Sequence, residues 1–361
     1  MVAVTWLFRH IQPTATTKAV PMQTRFAFRR FSAAIALSLI GAAPVPDYVV
    51  GQPIAGPDGG WDYASVDPAS GQVYVARSES VTVVDLAHPA SPRSIGMIAR
   101  GHAAVPIPNF GLLLVTSGRD DSVRLLDLKD GHEVAKIAVG ANPDAAFYDA
   151  QLRAAVVMNA KSGTVSVIGL AARKVVRTIT LKPGLEFGVL GAGQVLFVNN
   201  EDENEIETAD LRTGKVGTAI PMPGCEGPTG LGFDARNNRL ISACGNGKAA
   251  IVDASARRRL TALLDIGNGP DAVILDTVRR RAFIPCGRSA VLEILSLDAA
   301  GGPKVTGAVK TEMGARTGTL DPRTGMLYLP AANYAAPAAP GARATPIPGT
   351  FHLVVIAPRP M

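Results

Sequence analysis

The sequence predicts an all-β chain folded as a seven-bladed β-propeller, with four antiparallel strands per blade. Three observations predict it. A glycine-marked turn followed by an apolar run recurs seven times. The interval between successive markers stays in the range expected of propeller blades. The last repeat lacks a fourth strand, and a spare strand precedes the first repeat.

The markers read Gly60-Trp61-Asp62-Tyr63, Gly101-His102, Gly140-Ala141-Asn142-Pro143-Asp144, Pro183-Gly184-Leu185-Glu186, Gly227-Pro228-Thr229, Gly269-Pro270-Asp271 and Gly314-Ala315-Arg316. The intervals between marker glycines are 41, 39, 44, 43, 42 and 45. A sandwich would not hold so constant a period, and a β-helix would need much shorter rungs.

Each unit has one internal grammar. A strand follows the marker, as over 62–66, and a polar turn such as Asp67-Pro68-Ala69-Ser70-Gly71 or Asp321-Pro322-Arg323-Thr324-Gly325 follows the strand. Proline presets φ and glycine accepts positive φ, so these strings form turns. A second strand comes next (Val73-Tyr74-Val75), then a third with period-two alternation (Thr164-Val165-Ser166-Val167-Ile168), then a fourth (174–179). Alternating β-branched residues mark a half-buried strand. In the last unit 351–356 supplies the third strand, and the missing fourth is expected from residues 47–53. That strand would pair into the last blade, close the ring and remove its open edge.

The chain has 361 residues, 47% of them hydrophobic, with 37 glycines and 27 prolines. This is ample for a large core built with many turns. The net charge of +6 is unevenly placed. Residues 1–43 hold Arg9, Lys18, Arg25, Arg29 and Arg30 and no acid, which leaves 31 bases against 30 acids in the rest. A near-neutral body does not read as a nucleic-acid binder. Arg25, Arg29 and Arg30, the apolar run 31–40 and Gly41-Ala42-Ala43 read as a signal peptide, with Met22 the expected true start. The run is too short to span a bilayer. The expected domains are this leader over 1–43, a single propeller over 47–357, and within it an Ala/Pro-rich loop over 331–349. The expected location is periplasmic or secreted, with no transmembrane segment in the mature chain, which is expected to be monomeric.

Three cysteines are present, Cys225, Cys244 and Cys286, without C-x-x-C spacing. One disulfide and one free thiol suit an exported chain. Cys225 precedes the inner strand of the fifth blade and Cys244 ends its neighbour. Antiparallel pairing puts those ends side by side, so a Cys225–Cys244 disulfide is expected.

Propeller topology sorts the loops by face. The face carrying the first-to-second and third-to-fourth strand loops holds Arg153, Arg173, Lys174, Arg236, Arg257, Arg258, Arg259, Arg279, Arg280 and Arg281. Solvated turn charge is the ordinary reading of these; a basic patch for an acidic partner is the other. On the opposite face the inner strands begin with Trp61, Asp62, His102, Asp144, Glu186, Thr229, Asp271 and Arg316, which should ring the channel mouth. Arg119, Asp120, Glu201, Asp202 and Asn246 belong to loops of the same face. Converging carboxylates can bind a divalent cation through oxygen, with Asp62, Asp144, Glu186 and Asp271 the candidate ligands. Asp144 and Asp271 equally suit turn capping. His102 would need a carboxylate partner to act as a base, and Asp62 or Asp144 is available. No Gly-x-Ser-x-Gly elbow, phosphate loop, dinucleotide fingerprint or haem attachment occurs.

Several strings together resemble the 40-residue YVTN repeats of the YncE-like β-propeller family of exported bacterial proteins. They are Gly59-Gly60-Trp61-Asp62-Tyr63, Ser117-Gly118-Arg119-Asp120, Gly140-Ala141-Asn142-Pro143-Asp144, Glu201-Asp202, Cys225-Glu226-Gly227-Pro228-Thr229-Gly230-Leu231 and Gly314-Ala315-Arg316-Thr317. The resemblance covers 47–357. The family's Tyr-Val-Thr-Asn string survives only in worn forms such as Phe197-Val198-Asn199-Asn200. It implies the fold and export; function in the family ranges from partner binding to single-stranded DNA affinity.

The expected function is non-catalytic binding of a small molecule or a periplasmic protein at the acid-rich mouth. The alternatives are a metal-dependent lactonase-type hydrolase with a cation in the channel, and single-stranded DNA binding by resemblance, with Trp61 and Tyr63 as stacking residues.

Overall fold

Seven antiparallel sheets follow one another along the chain, each ordered from an inner strand outward. The computed structural model describes residues 47–336 and 344–359. The expected leader and Met22 lie outside the described residues, as do 337–343 of the long loop. The inner strands are Trp61–Asp67, Gly101–Ile107, Pro143–Asp149, Leu185–Leu190, Pro228–Asp234, Ile274–Asp276 and Thr319–Leu320. Among the described residues the only helical turns are Pro108–Phe110 and Ala192–Gln194, so none is long and apolar enough to cross a membrane.

The burial of each strand explains its composition. Second strands such as Ala154–Asn159 are buried at every position, because blades cover both faces. They read as near-continuous apolar runs. The outer strand Lys174–Thr180 alternates between exposed and partly or fully buried positions, as a sheet with one wet face must. Clusters of Val, Leu and Ile from adjacent sheets form the core between blades.

The ring closes through the N-terminal strand. Tyr48–Val50 pairs with His352–Pro358, and Ile54–Ala55 pairs further along the same strand. The expected strand 47–53 is thus two stretches reaching Ala55, interrupted at 51–53, where Pro53 has no N–H to give. The Gly51 N–H still reaches Val355 O at 2.8 Å. Tyr48 is buried and meets Phe283 of the sixth blade edge-on, 4.9 Å between centroids.

Aspartates end several inner strands and fold the next turn. Asp67, Asp149, Asp276 and Asp321 each accept the backbone N–H two residues on. Blades 2 and 4 lack this aspartate, and their two short helical turns take its place.

A further regularity bears on the channel. In blades 1 to 5 the inner strand carries one extra residue near its start, between Trp61 and Ala64, Gly101 and Ala104, Pro143 and Ala146, Leu185 and Gly188, and Pro228 and Leu231. A bulge bends a strand and re-aims its side chains. Here it falls at Asp62, His102, Asp144, Glu186 and Thr229.

Candidate functional site: the channel mouth

Each blade contributes one side chain to the mouth: Asp62, His102, Asp144, Glu186, Thr229, Asp271 and Arg316. Neighbouring blades hold the backbone beneath several of them. The Thr116 hydroxyl donates to Asp144 O at 2.9 Å, Thr317 to Asp62 O at 2.8 Å, and Thr229 to Pro270 O at 3.1 Å. The Asn199 amide donates to Thr229 O and Gly230 O at 2.9 and 3.0 Å.

The ring divides into two arcs. On the first, His102 Nδ1 lies 2.7 Å from Asp62 Oδ2 and 3.3 Å from Asp144 Oδ1. A neutral ring has one N–H at that nitrogen to give, so with Asp62 as its partner Asp144 Oδ1 accepts no hydrogen bond. Burial lowers the proton affinity of His102, but the bond to Asp62 and the charge of Asp144 outweigh it and raise the imidazole pKa. Burial, then the charge of Asp62, pushes Asp144 up to about 7.

On the second arc, Arg316 Nε donates to Asp271 Oδ2 at 2.7 Å, and an Arg316 terminal nitrogen is 3.9 Å from Asp62. Burial and the Asp62 charge still raise Asp271 to about 6. Glu186 is pushed furthest, to about 10, by burial and by Asp144. Glu201, on the loop after the second strand of its blade, hydrogen-bonds Glu186 and is itself raised by burial and by Asp202. Five carboxyls therefore crowd the mouth, faced by Arg316 and His102, with the charge of Arg100 also acting on Asp144.

An aromatic pair stands one residue below this ring. Tyr63 and Phe187 reach across from blades 1 and 4 and pack at 5.4 Å. Burial among Asp271, Glu186, Asp144 and Asp62 raises the Tyr63 phenol well above its ordinary value. Beyond the pair lies an apolar cavity of about 200 Å³, lined by small residues such as Ala64, Ala104 and Ala146.

The expected site residues are not all brought together. The four-carboxylate cation set is not brought together. Asp62 and Asp144 meet at His102, their ligand atoms within 4.8 Å of one another, whereas Asp271 turns to Arg316 and Glu186 to Glu201. Trp61 does not face the axis. It packs on Phe351 at 5.3 Å and Tyr334 at 6.5 Å, with Arg77 stacked 3.7 Å from the Phe351 ring.

The loop residues divide as well. Asp120 is bound by Ser122, Arg124 and Lys136, so its carboxyl serves the outer part of blade 2. Asn246 accepts from Glu226 N–H and donates to Gly224 O, building the turn beside Cys225. Arg119 and Asp202 stand exposed on their loops. Cys225 and Cys244 are joined by a disulfide, Cα atoms 5.3 Å apart. Cys286 is free and buried, and burial beside Glu293 pushes its thiol up to about 12.

Other residues of this face went unread in the sequence. Arg288, Met313 and Tyr334 line a pocket of about 840 Å³ beside the ring, together with Glu201, Asp271 and Arg316. Arg288 could have been found. Gly287-Arg288 fills the slot after the second strand that Gly118-Arg119 fills in blade 2.

No family model and no curated protein sequence matches the chain. Solved structures share its architecture. A chain of hydrazine synthase from Kuenenia stuttgartiensis superposes with a TM-score of 0.67 at 15% identity, over 77% of this chain and 94% of that one. A chain of a mitotic checkpoint complex superposes with a TM-score of 0.69 at 13% identity, over 96% and 98%. At such identities the likeness is one of fold.

Proposed function

We propose that this is an exported, non-catalytic binding propeller of the YncE-like group, working in the periplasm or outside the cell, and that its channel mouth receives a cationic ligand. One observation carries the reading. Five carboxyls from blades 1, 3, 4 and 6 crowd the channel mouth, and Asp144, Glu186 and Asp271 hold their protons above the ordinary carboxylate range. Mutual repulsion and desolvation produce that resistance to ionisation. An incoming cation relieves the repulsion, so part of its binding energy is stored in the ring.

A second reading has its own support. Asp62, His102 and Asp144 offer three ligand atoms close enough to hold one divalent ion, and a mixed imidazole and carboxylate set suits such an ion. A hydrolase of the lactonase type would have drawn Glu186 and Asp271 into the same set, and they turn elsewhere. Single-stranded DNA binding needs exposed aromatics on a basic groove. Trp61 is packed against Phe351, Tyr63 is buried, and the mouth is acidic, so that reading is not advanced.

Calorimetric titration of the purified protein tests the proposal, using small alkylamines and, separately, Mg²⁺, Ca²⁺, Mn²⁺ and Zn²⁺. Amine binding that weakens in Glu186→Gln and survives His102→Asn supports the ammonium reading. Metal binding that His102→Asn abolishes supports the second. Absence of heat with every probe refutes a cation site at the mouth.

A further inference from the structure

The 840 Å³ pocket beside the ring carries a charge pattern that a simple cation leaves unexplained. Its blade-4 side ends at Glu201. Glu201 is exposed there, and no ion pair engages its carboxyl among the described residues. Its blade-6 side ends at Arg288. That guanidinium is exposed and forms no ion pair among the described residues. Arg316 lies between, with Nε committed to Asp271 and a side chain 41% exposed toward the pocket.

The walls are seated by missing side chains. A Cβ on Gly269 would stand 2.5 Å from Arg288 Cγ, one on Gly287 2.8 Å from Arg316 Cβ, and one on Gly314 2.5 Å from the Tyr334 hydroxyl. A Cβ does not come that close to a non-bonded atom without something shifting. Arg288, Arg316 and Tyr334 therefore each rest on a glycine, and the pocket exists in this form because blades 6 and 7 dispense with a Cβ at these three positions.

We infer that this pocket binds a small zwitterion, with its ammonium against Glu201 and its carboxylate against Arg288 and the free edge of Arg316. The aliphatic stem between the two charges lies along Tyr334 and Met313, the latter 51% exposed. A bare metal ion would leave Arg288 unused, and a simple anion would face Glu201 and Asp271 at close range. A guanidinium meets a carboxylate through paired N–H donors, which favours that group over a neutral end. The inference rests on the cationic reading of the mouth and narrows it to amine–carboxylate compounds.

The experiment compares ω-amino acids of three to six carbons with alkylamines of the same length, by calorimetry on the purified protein. At the matching length the amino acid should bind about tenfold tighter than the amine. Arg288→Ala, at an exposed position that leaves the fold intact, should remove that margin without changing the amine's affinity. Glu201→Gln should weaken both. Equal affinities at every length, or a margin that survives Arg288→Ala, overturn the inference while the cationic mouth stands. If neither series binds, the cationic reading fails and this one falls with it.

Discussion

Replacing Asp144 by asparagine tests the electrostatics of the mouth without any ligand. The folded protein raises the Asp144 pKa from 3.8 to about 7, through burial and the charge of Asp62. A carboxyl raised in this way keeps its proton longer in the folded chain than in the unfolded one. Its contribution is then most favourable at low pH and is lost as pH rises from the unfolded value through about 7. Each pKa unit corresponds to about 1.4 kcal/mol, so ionising Asp144 costs the fold on the order of 4 kcal/mol across that window. His102 acts in the same direction, since its pKa is also raised and its stabilisation fades as pH climbs. Asparagine cannot ionise, and it removes one of the charges that raise His102. The Asp144→Asn protein also loses the ionic contact to His102, a cost that does not vary with pH in the same manner, so the slope is the diagnostic quantity. Thermal melts from pH 4.5 to 8.5 should show wild type losing stability relative to Asp144→Asn, a divergence of roughly 6 °C for a domain of this size. Parallel curves would refute the claim that repulsion among the ring carboxyls is held in the folded state.

Two further outcomes follow from other parts of the structure. The Cys225–Cys244 bridge spans 19 positions of sequence, and releasing a loop of that length costs about 3 kcal/mol in the chain-entropy account. Cys225→Ser with Cys244→Ser should lower the denaturant midpoint accordingly, and an unchanged midpoint would show that the bridge constrains nothing. On the opposite face, Arg280 holds Asp234 with two bonds of 2.8 Å, and the Asp234 side chain is fully buried. Arg280→Ala leaves that carboxylate with the Asn237 amide as its remaining side-chain donor and should cost about 3 kcal/mol. Arg257→Ala, at an exposed turn of the same face, should change stability by less than about 0.5 kcal/mol, and equal losses for the two would contradict the pairing.

The fold was legible because its repeat is written in backbone chemistry. Marker glycines, the turn aspartates and runs such as Val73-Tyr74-Val75 each have a local cause, and local causes can be read without coordinates. The ring was legible for the same reason, since Asp62, Asp144 and Asp271 fall at one position in successive repeats. Pairing was not legible. His102 had both Asp62 and Asp144 within its notional reach, and only the bulged geometry shows it lying against the two at one nitrogen. Arg316 gave no sign that it would choose Asp271. Trp61 sits beside Asp62 in the sequence, yet it belongs to an aromatic cluster with Phe351, 290 positions away. The arginine triplets looked like a solvated patch, but Arg280 is spent inside the fold on Asp234 and Asp298.

The sevenfold repeat and the single site pull against each other, and the ring shows how the conflict is resolved. Seven equivalent positions carrying seven identical acids would repel one another without any direction to the field. Here blades 2, 5 and 7 substitute His102, Thr229 and Arg316, and each substitution breaks the symmetry in its own way. His102 draws Asp62 and Asp144 inward and closes the first arc. Arg316 draws Asp271 toward blade 7, and Thr229 turns its hydroxyl to the Pro270 carbonyl, so the second arc stays open beside the glycine-seated pocket. The Tyr63–Phe187 pair packs beneath both arcs. On the proposed reading, a ligand would arrive past Glu201 and Arg288, whose opposite charges would act on it before the buried ring does. Orientation would then be set at the rim, where water still screens the field, and retention deeper, where Asp144 and Glu186 would respond to the arriving charge by changing their hold on protons. Binding of a cation should on this account release protons near neutral pH, so the measured heat ought to change with the ionisation enthalpy of the buffer. A heat independent of the buffer would mean that the ligand never reaches the ring.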